Sequence, residues 1–141
     1  MSNTMPVTET GCLIWLRALD KDNYGLITVE NKTKRLHRLV WEIFYGKIPP
    51  KMVIDHKCYV PTCCNPQHLR LATVSQNSRN RSGPDINNSS GHRNIYWHKG
   101  DKSWRVKIAG INVGQSVDIE KAIKIRDKKR LEMFGEFAGR G

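Results

Sequence analysis

Acidic residues are scarce in this chain. Thirteen Asp and Glu stand against 24 Lys and Arg, which gives a formal charge of +11 over 141 residues at pH 7. Such an imbalance disfavours a basic partner and points to a polyanion. The excess is not confined to a tail, because eleven basic residues face six acidic ones up to position 80 and thirteen face seven beyond it. Also missing is any apolar run long enough to span a bilayer, so no membrane partner is expected. The opening MSNTMPVTET has no charged segment leading into an apolar stretch. No secretory signal is read there, which predicts a cytoplasmic protein with reduced thiols and makes metal a better use of four cysteines than disulfides. There is no repeat of useful period and no low-complexity tract. Apolar residues at 38% are too many for a disordered polyelectrolyte, and the length suits one ordinary domain or two small ones.

The remaining pattern predicts an α+β chain in five parts. Residues 1–10 are polar and turn-prone and are expected to form a flexible leader. Cys12–Ala18 reads as an apolar strand, followed by a turn at DKDNYG and a hairpin across Asn31-Lys32-Thr33. In HRLVWEIFYG, Leu39, Val40, Ile43 and Phe44 recur at helical spacing, and Gly46 with Pro49-Pro50 beyond ends the helix. VIDH is a short strand, the proline-interrupted KCYVPTCCNPQ a loop and LRLAT another strand; Thr73 or Ser75 caps a short helix through Asn77 and Asn80. RSGPDINNSSG, residues 81–91, holds turn formers throughout and is expected as a linker. Residues 92–138 then form a second unit. NIYWH, SWRVKIA and INVGQSV predict a small three-stranded antiparallel sheet, and Asp118 caps one charged helix to about Phe134. The helix stripe of Ile119, Ala122, Ile123, Leu131 and Phe134 is interrupted by Arg126 and Asp127, with Ile125 off it. Residues 139–141 are a tail.

Cys58, Cys63 and His68 are spaced C-x4-C-x4-H, which suits soft thiolates and an imidazole converging on Zn²⁺. A closed tetrahedral site needs a fourth ligand. Cys12 is preferred, with Cys64 the competitor, because adjacent cysteines rarely both reach one small ion without backbone distortion. Closed Cys3His coordination leaves no open position, so such an ion holds the loop and catalysis needs other groups. Beside the loop stands His56, preceded by Asp55 at the end of an apolar strand, with Asn77 further on in the short helix.

The run DHKCYVPTCCNPQHLRLATVSQN, residues 55–77, resembles the HNH nuclease motif, the zinc-stapled ββα-metal unit shared with His-Cys box homing endonucleases. The flanking GCLIW, HRLVWEIFYG and IPP are similar to those of phage and intron-encoded members, so the likeness covers about residues 11–80. It implies a phage-encoded, site-directed endonuclease of the homing type acting on double-stranded DNA in a host cell. It further implies His56 as general base, Asn77 as ligand of a catalytic Mg²⁺ or Mn²⁺, and Cys12, Cys58, Cys63 and His68 as the set holding one structural zinc. Asp55 as a second ligand of the catalytic ion follows only from the D-H subtype of the family. The chemistry is consistent, since phosphodiester hydrolysis needs an activated water and relief of charge on phosphate and leaving oxygen. Arg38 suits equally a phosphate clamp and a solvated helix start. A zinc-stabilised DNA-binding protein without cleavage is the rival from another class, against which His56 and Asn77 argue. A zinc deaminase needs a His-x-Glu pair that HKC lacks. Neither monomer nor homodimer is favoured.

In SWRVKIA, alternation puts Trp104, Val106 and Ile108 on one face and Arg105 and Lys107 on the other, predicting a half-buried strand with a basic outer side. Arg93, Tyr96, Trp97 and Lys99 extend that surface, and Asn112 on the third strand is placed to reach a base edge. Trp97 suits the core as well as it suits contact. GHRNIYWHKGDKSWRVKI with the terminal FGEFA resembles the sheet-reading domain of plant ethylene-response (Apetala-type) factors over residues 91–138, which implies a DNA-binding module. Tyr96 and Asn112 stand where many members of that family place arginine or tryptophan.

Overall fold

Apolar runs this short, cut by Gly, Asn and Pro, form only short strands. In the computed structural model, which describes residues 2–80, 83–84 and 86–139, they assemble into an α+β chain of two units, Met1–Asn77 and Ser78–Gly141. No described helix is long and apolar enough to cross a membrane.

The first unit holds three antiparallel strand pairs among its described residues. β1 (Thr4–Val7) pairs with β2 (Cys12–Trp15), β3 (Leu26–Val29) with β4 (Lys32–Arg35), and β5 (Met52–His56) with β6 (Leu69–Thr73). β1 corrects the expectation of a flexible leader: its backbone groups pair with β2, and Met5 stands opposite Ile14. Helix α1 (Leu36–Tyr45) starts where the Leu36 N–H donates to Gly25 O at 2.7 Å, and ends at Gly46. Its inner face carries Leu36, His37, Val40 and Trp41, so of the expected stripe Val40 turns inward while Ile43 and Phe44 are 69% and 64% exposed. The period was legible but the phase is set by Val40 and Trp41 packing on the core of Ile48, Ile54 and Leu69. A short helix, α2 (Val74–Arg79), follows β6 and completes a ββα arrangement. Thr73, not Ser75, caps it: the Gln76 N–H donates to Thr73 Oγ1 at 3.2 Å and the Thr73 N–H to Gln76 Oε1 at 2.8 Å.

The second unit is a sheet of order β7 (Ile95–His98), β8 (Ser103–Ile108), β9 (Ile111–Ser116), backed by α3 (Ile119–Phe134). Asp118 caps α3 by accepting from the Glu120 N–H at 2.9 Å. Ile95, Val106, Ile108 and Ala122 form the core, with Trp104, Ile123, Ile125 and Phe134 against it. Two stripe assignments are therefore corrected. Ile125 turns inward over Gly114, where an added Cβ would lie 2.8 Å from Ile125 Cγ2, so the missing side chain is what lets helix and sheet approach. Leu131 is largely exposed. Arg126 and Arg130 join the inner face instead of breaking it, because each guanidinium finds partners there. Arg126 pairs with Asp127 at 2.7 Å, and Arg130 donates to Asn94 Oδ1 at 2.6 Å and to Arg79 O at 3.0 Å.

The division between units falls between Asn77 and Ser78, inside α2 and ahead of the expected linker. Of that linker, Arg81, Ser82 and Asp85 lie outside the described residues, while Asn88, Ser90 and His92 close a hydrogen-bonded turn. Of the tail, Arg140 and Gly141 lie outside them.

Candidate functional site

Strand β2 is stitched to the 58–68 loop by backbone bonds. The Trp15 N–H donates to Thr62 O at 2.9 Å and the Cys64 N–H to Leu13 O at 2.8 Å. This brings Cys12, at the head of β2, to Cys58, Cys63 and His68, and the four ligand atoms all lie within 4.8 Å of one another. A tetrahedral ion bound at about 2.3 Å to sulfur and about 2.0 Å to nitrogen needs S···N separations of about 3.5 Å. Cys12 Sγ and Cys63 Sγ stand 3.5 and 3.6 Å from His68 Nδ1, so the donor set fits a metal such as zinc. A hydrogen bond from Cys58 holds the Cys63 pKa down at about 4 against the opposing effect of burial, while the same bond and burial push Cys58 up. The pair thus offers a ready thiolate to a cation. Cys64 takes another direction, its Sγ donating to Leu13 O at 3.2 Å.

His56 ends β5 opposite Leu69 and is buried. Its Nε2 lies 3.0 Å from Cys63 O, and since a carbonyl only accepts, Nε2 carries the proton. Burial lowers the pKa of the ring, with the Cys63 carbonyl opposing, which favours the neutral form with a lone pair on Nδ1. Asp55 Oδ2 accepts from Arg70 Nε at 2.8 Å, so the carboxylate beside His56 is already shared with a guanidinium. Asn77 sits half-buried on α2, one element beyond the strand pair that carries His56. Arg38 is exposed on the first turn of α1, lining a hollow of about 260 Å³ with Lys34, Arg35, Leu39 and Glu42. Next to it His37 turns inward, its pKa lowered to about 3 by burial and then by His56. Sequence reasoning gave His37 no role and read Tyr24 only as part of a turn, yet both rings pack against His56. Ring stacking between residues this far apart leaves no periodic signal in the sequence.

In the second unit, Tyr96, Arg105, Lys107 and Asn112 line one shallow hollow of about 480 Å³ on the sheet. Pairing of Tyr96 with Arg105 and of Lys107 with Asn112 puts all four on one face. Arg105 donates through Nε and Nη2 to Asp101 Oδ2. Asn112, with its amide nitrogen turned inward, donates to Val106 O and Gly114 O at 3.1 Å each, so it braces the bulge between β8 and β9. Trp97 is half-exposed and meets Trp104 edge-on at 5.0 Å; its pairing with Trp104 puts it on the face opposite Arg105, so it does not extend the basic side as expected. Lys99 is exposed in the turn after β7. Arg93 precedes β7, and its guanidinium donates to Arg79 O at 3.1 Å; it acts on backbone carbonyls and does not extend the sheet surface as expected.

Residues 34–79 match the HNH endonuclease family. Protein 7.7 of Escherichia phage T7 is 36% identical over 67 residues, covering 48% of this chain and 52% of that protein. Protein 3.8 of the same phage is 32% identical over 110 residues, covering 76% of this chain and 90% of that protein. An uncharacterized HNH endonuclease of Acanthamoeba polyphaga mimivirus is 30% identical over 109 residues, covering 74% of this chain and 55% of that protein. The chain thus spans about half the length of protein 7.7 and of the mimivirus protein, and nearly all of protein 3.8. No solved structure matches it. Nothing in these comparisons supports the ethylene-response-factor likeness of residues 91–138.

Proposed function

We propose that this chain, whose residues 34–79 match the HNH endonuclease family, is a phage-type, homing-like endonuclease that hydrolyses double-stranded DNA with His56 as general base and one divalent ion. The observation that carries the reading is the state of His56 within the family-matched segment: a buried, neutral ring whose Nε2–H is fixed on Cys63 O. Nδ1 is then the atom that takes a proton from the attacking water as its oxygen bonds to phosphorus and the P–O3′ bond breaks. Asn77 and Asp55 are the hard oxygen donors for Mg²⁺ or Mn²⁺. Such an ion, when bound, polarises the phosphate and neutralises the departing oxygen. Arg38 is the guanidinium placed to hold a backbone phosphate. Cys12, Cys58, Cys63 and His68 hold one Zn²⁺, which fixes the loop that carries Cys63 O.

Arg105, Lys107, Tyr96 and Lys99 of the second unit supply a basic surface for DNA, supported by the shared face of the sheet and the overall charge. Phage relatives support action in the cytoplasm of a host cell. Supercoiled plasmid incubated with the protein and Mg²⁺, with and without chelator, tests the reading. Nicked or linear product that disappears with chelator, and with His56→Ala, is expected. Tight binding without any cutting by the wild type would replace this reading with that of a zinc-stabilised DNA-binding protein.

A further inference from the structure

We propose that Tyr24 and His37 are positioning residues for His56, forming with Arg35 and Asp20 a packed column that fixes the plane of its imidazole; the inference rests on the reading of His56 as base. The bond from Nε2 to Cys63 O holds one atom of the ring, and a ring held at one atom still tilts about that contact. Two neighbours remove this freedom. Tyr24 lies against the face of His56, with centroids 5.9 Å apart and 30° between planes. His37 meets it from another side at 5.0 Å and 57°, and Tyr24 and His37 pack on each other at 4.9 Å. Each ring therefore braces the other two.

The column continues outward. The Arg35 guanidinium sits 4.6 Å from the Tyr24 centroid, a cation–π contact. Asp20 anchors Arg35 by accepting from its Nε at 2.8 Å, and its other oxygen accepts from the Tyr24 N–H at 3.0 Å. One carboxylate thus sets both the backbone that presents Tyr24 and the cation that covers it. His37 is only 5% exposed, and its Nδ1 has no hydrogen-bond partner among the described residues.

Single-turnover cleavage by the full-length, zinc-loaded protein at saturating concentration with Mg²⁺ tests the column, alongside DNA affinity without divalent ion and the ¹⁵N tautomer pattern of His56. Tyr24→Leu and His37→Ala are expected to slow cleavage about 10- to 100-fold and to blur the single Nε2–H tautomer, leaving affinity unchanged. Tyr24→Phe, which keeps the ring, should restore the rate. Wild-type rates in Tyr24→Leu and His37→Ala overturn the inference. If either fails to fold, as judged by melting and zinc content, Arg35→Met decides in its place, because it leaves all three rings and removes the cation that covers Tyr24. A wild-type rate and tautomer pattern in Arg35→Met then sink the proposal. His56→Ala, run in parallel, separates the two levels: cutting by that variant removes the base itself, whereas its inactivity beside fully active column variants removes only the column.

Discussion

Cys63 links the ligand cluster to His56. Its Sγ faces His68 Nδ1 and its carbonyl accepts from the His56 ring, so with the proposed roles a change at the cluster reaches the proposed base through one residue. Cys64, its neighbour, shares neither contact and bonds to Leu13 O. Cys12→Ser should therefore yield protein lacking zinc, while Cys64→Ser keeps one zinc per chain by elemental analysis; the reverse result would reassign the fourth ligand. Asn77 offers a different separation. Asn77→Ala should lower cleavage by about 10²-fold or more with affinity for DNA intact, and excess Mn²⁺ or Mg²⁺ should recover part of the rate. Recovery of the His56→Ala variant by metal alone would mean that the two roles have been exchanged.

Elements obey the same local logic with one addition, which is packing phase. Gly114 on β9 lies under Ile125 of α3, and the space for a Cβ is already filled to 2.8 Å. Gly114→Ala should lower the stability of the second unit by about 1–3 kcal/mol, read as an earlier thermal or urea midpoint. An unchanged midpoint would show that α3 can shift away without cost. Strand and helix existence was legible in the sequence nearly throughout, because Pro, Gly and Asn mark the ends and Asp118 caps α3. Which face turns inward was less so. On α1 the apolar residues Ile43 and Phe44 suggested one phase, yet the side chains able to fill the space over Ile54 and Leu69 are Val40 and Trp41. On α3 the buried face carries Arg126, which donates to Arg93 O, and Arg130, which donates to Asn94 Oδ1 and Arg79 O, all partners from distant positions. The candidate ligands Cys58, Cys63 and His68 could be anticipated from spacing and Cys12 from its place at the head of the first strand, but the Tyr24 and His37 contacts could not, since they depend on where a turn and a helix meet.

Across the whole molecule the basic excess is divided between the two units, so the proposed attraction to DNA would draw on both. Two modest binding surfaces on one chain raise each other's local concentration and thereby allow a long target without a large interface. If the sheet face supplies phosphate contacts, Arg105→Ala and Lys107→Ala should each reduce the slope of log affinity against log salt by about 0.9. Cleavage at saturating protein should stay near wild type, because these side chains belong to the unit that carries neither His56 nor Asn77. A lower affinity with an unchanged salt slope would instead mean that the side chain contacts a base edge. Unchanged affinity in the double variant would leave the sheet without a role in DNA binding, and the first unit, with Arg38 and Lys34 at the start of α1, would have to provide it. The salt titration distinguishes these outcomes because only a displaced phosphate counterion enters the slope.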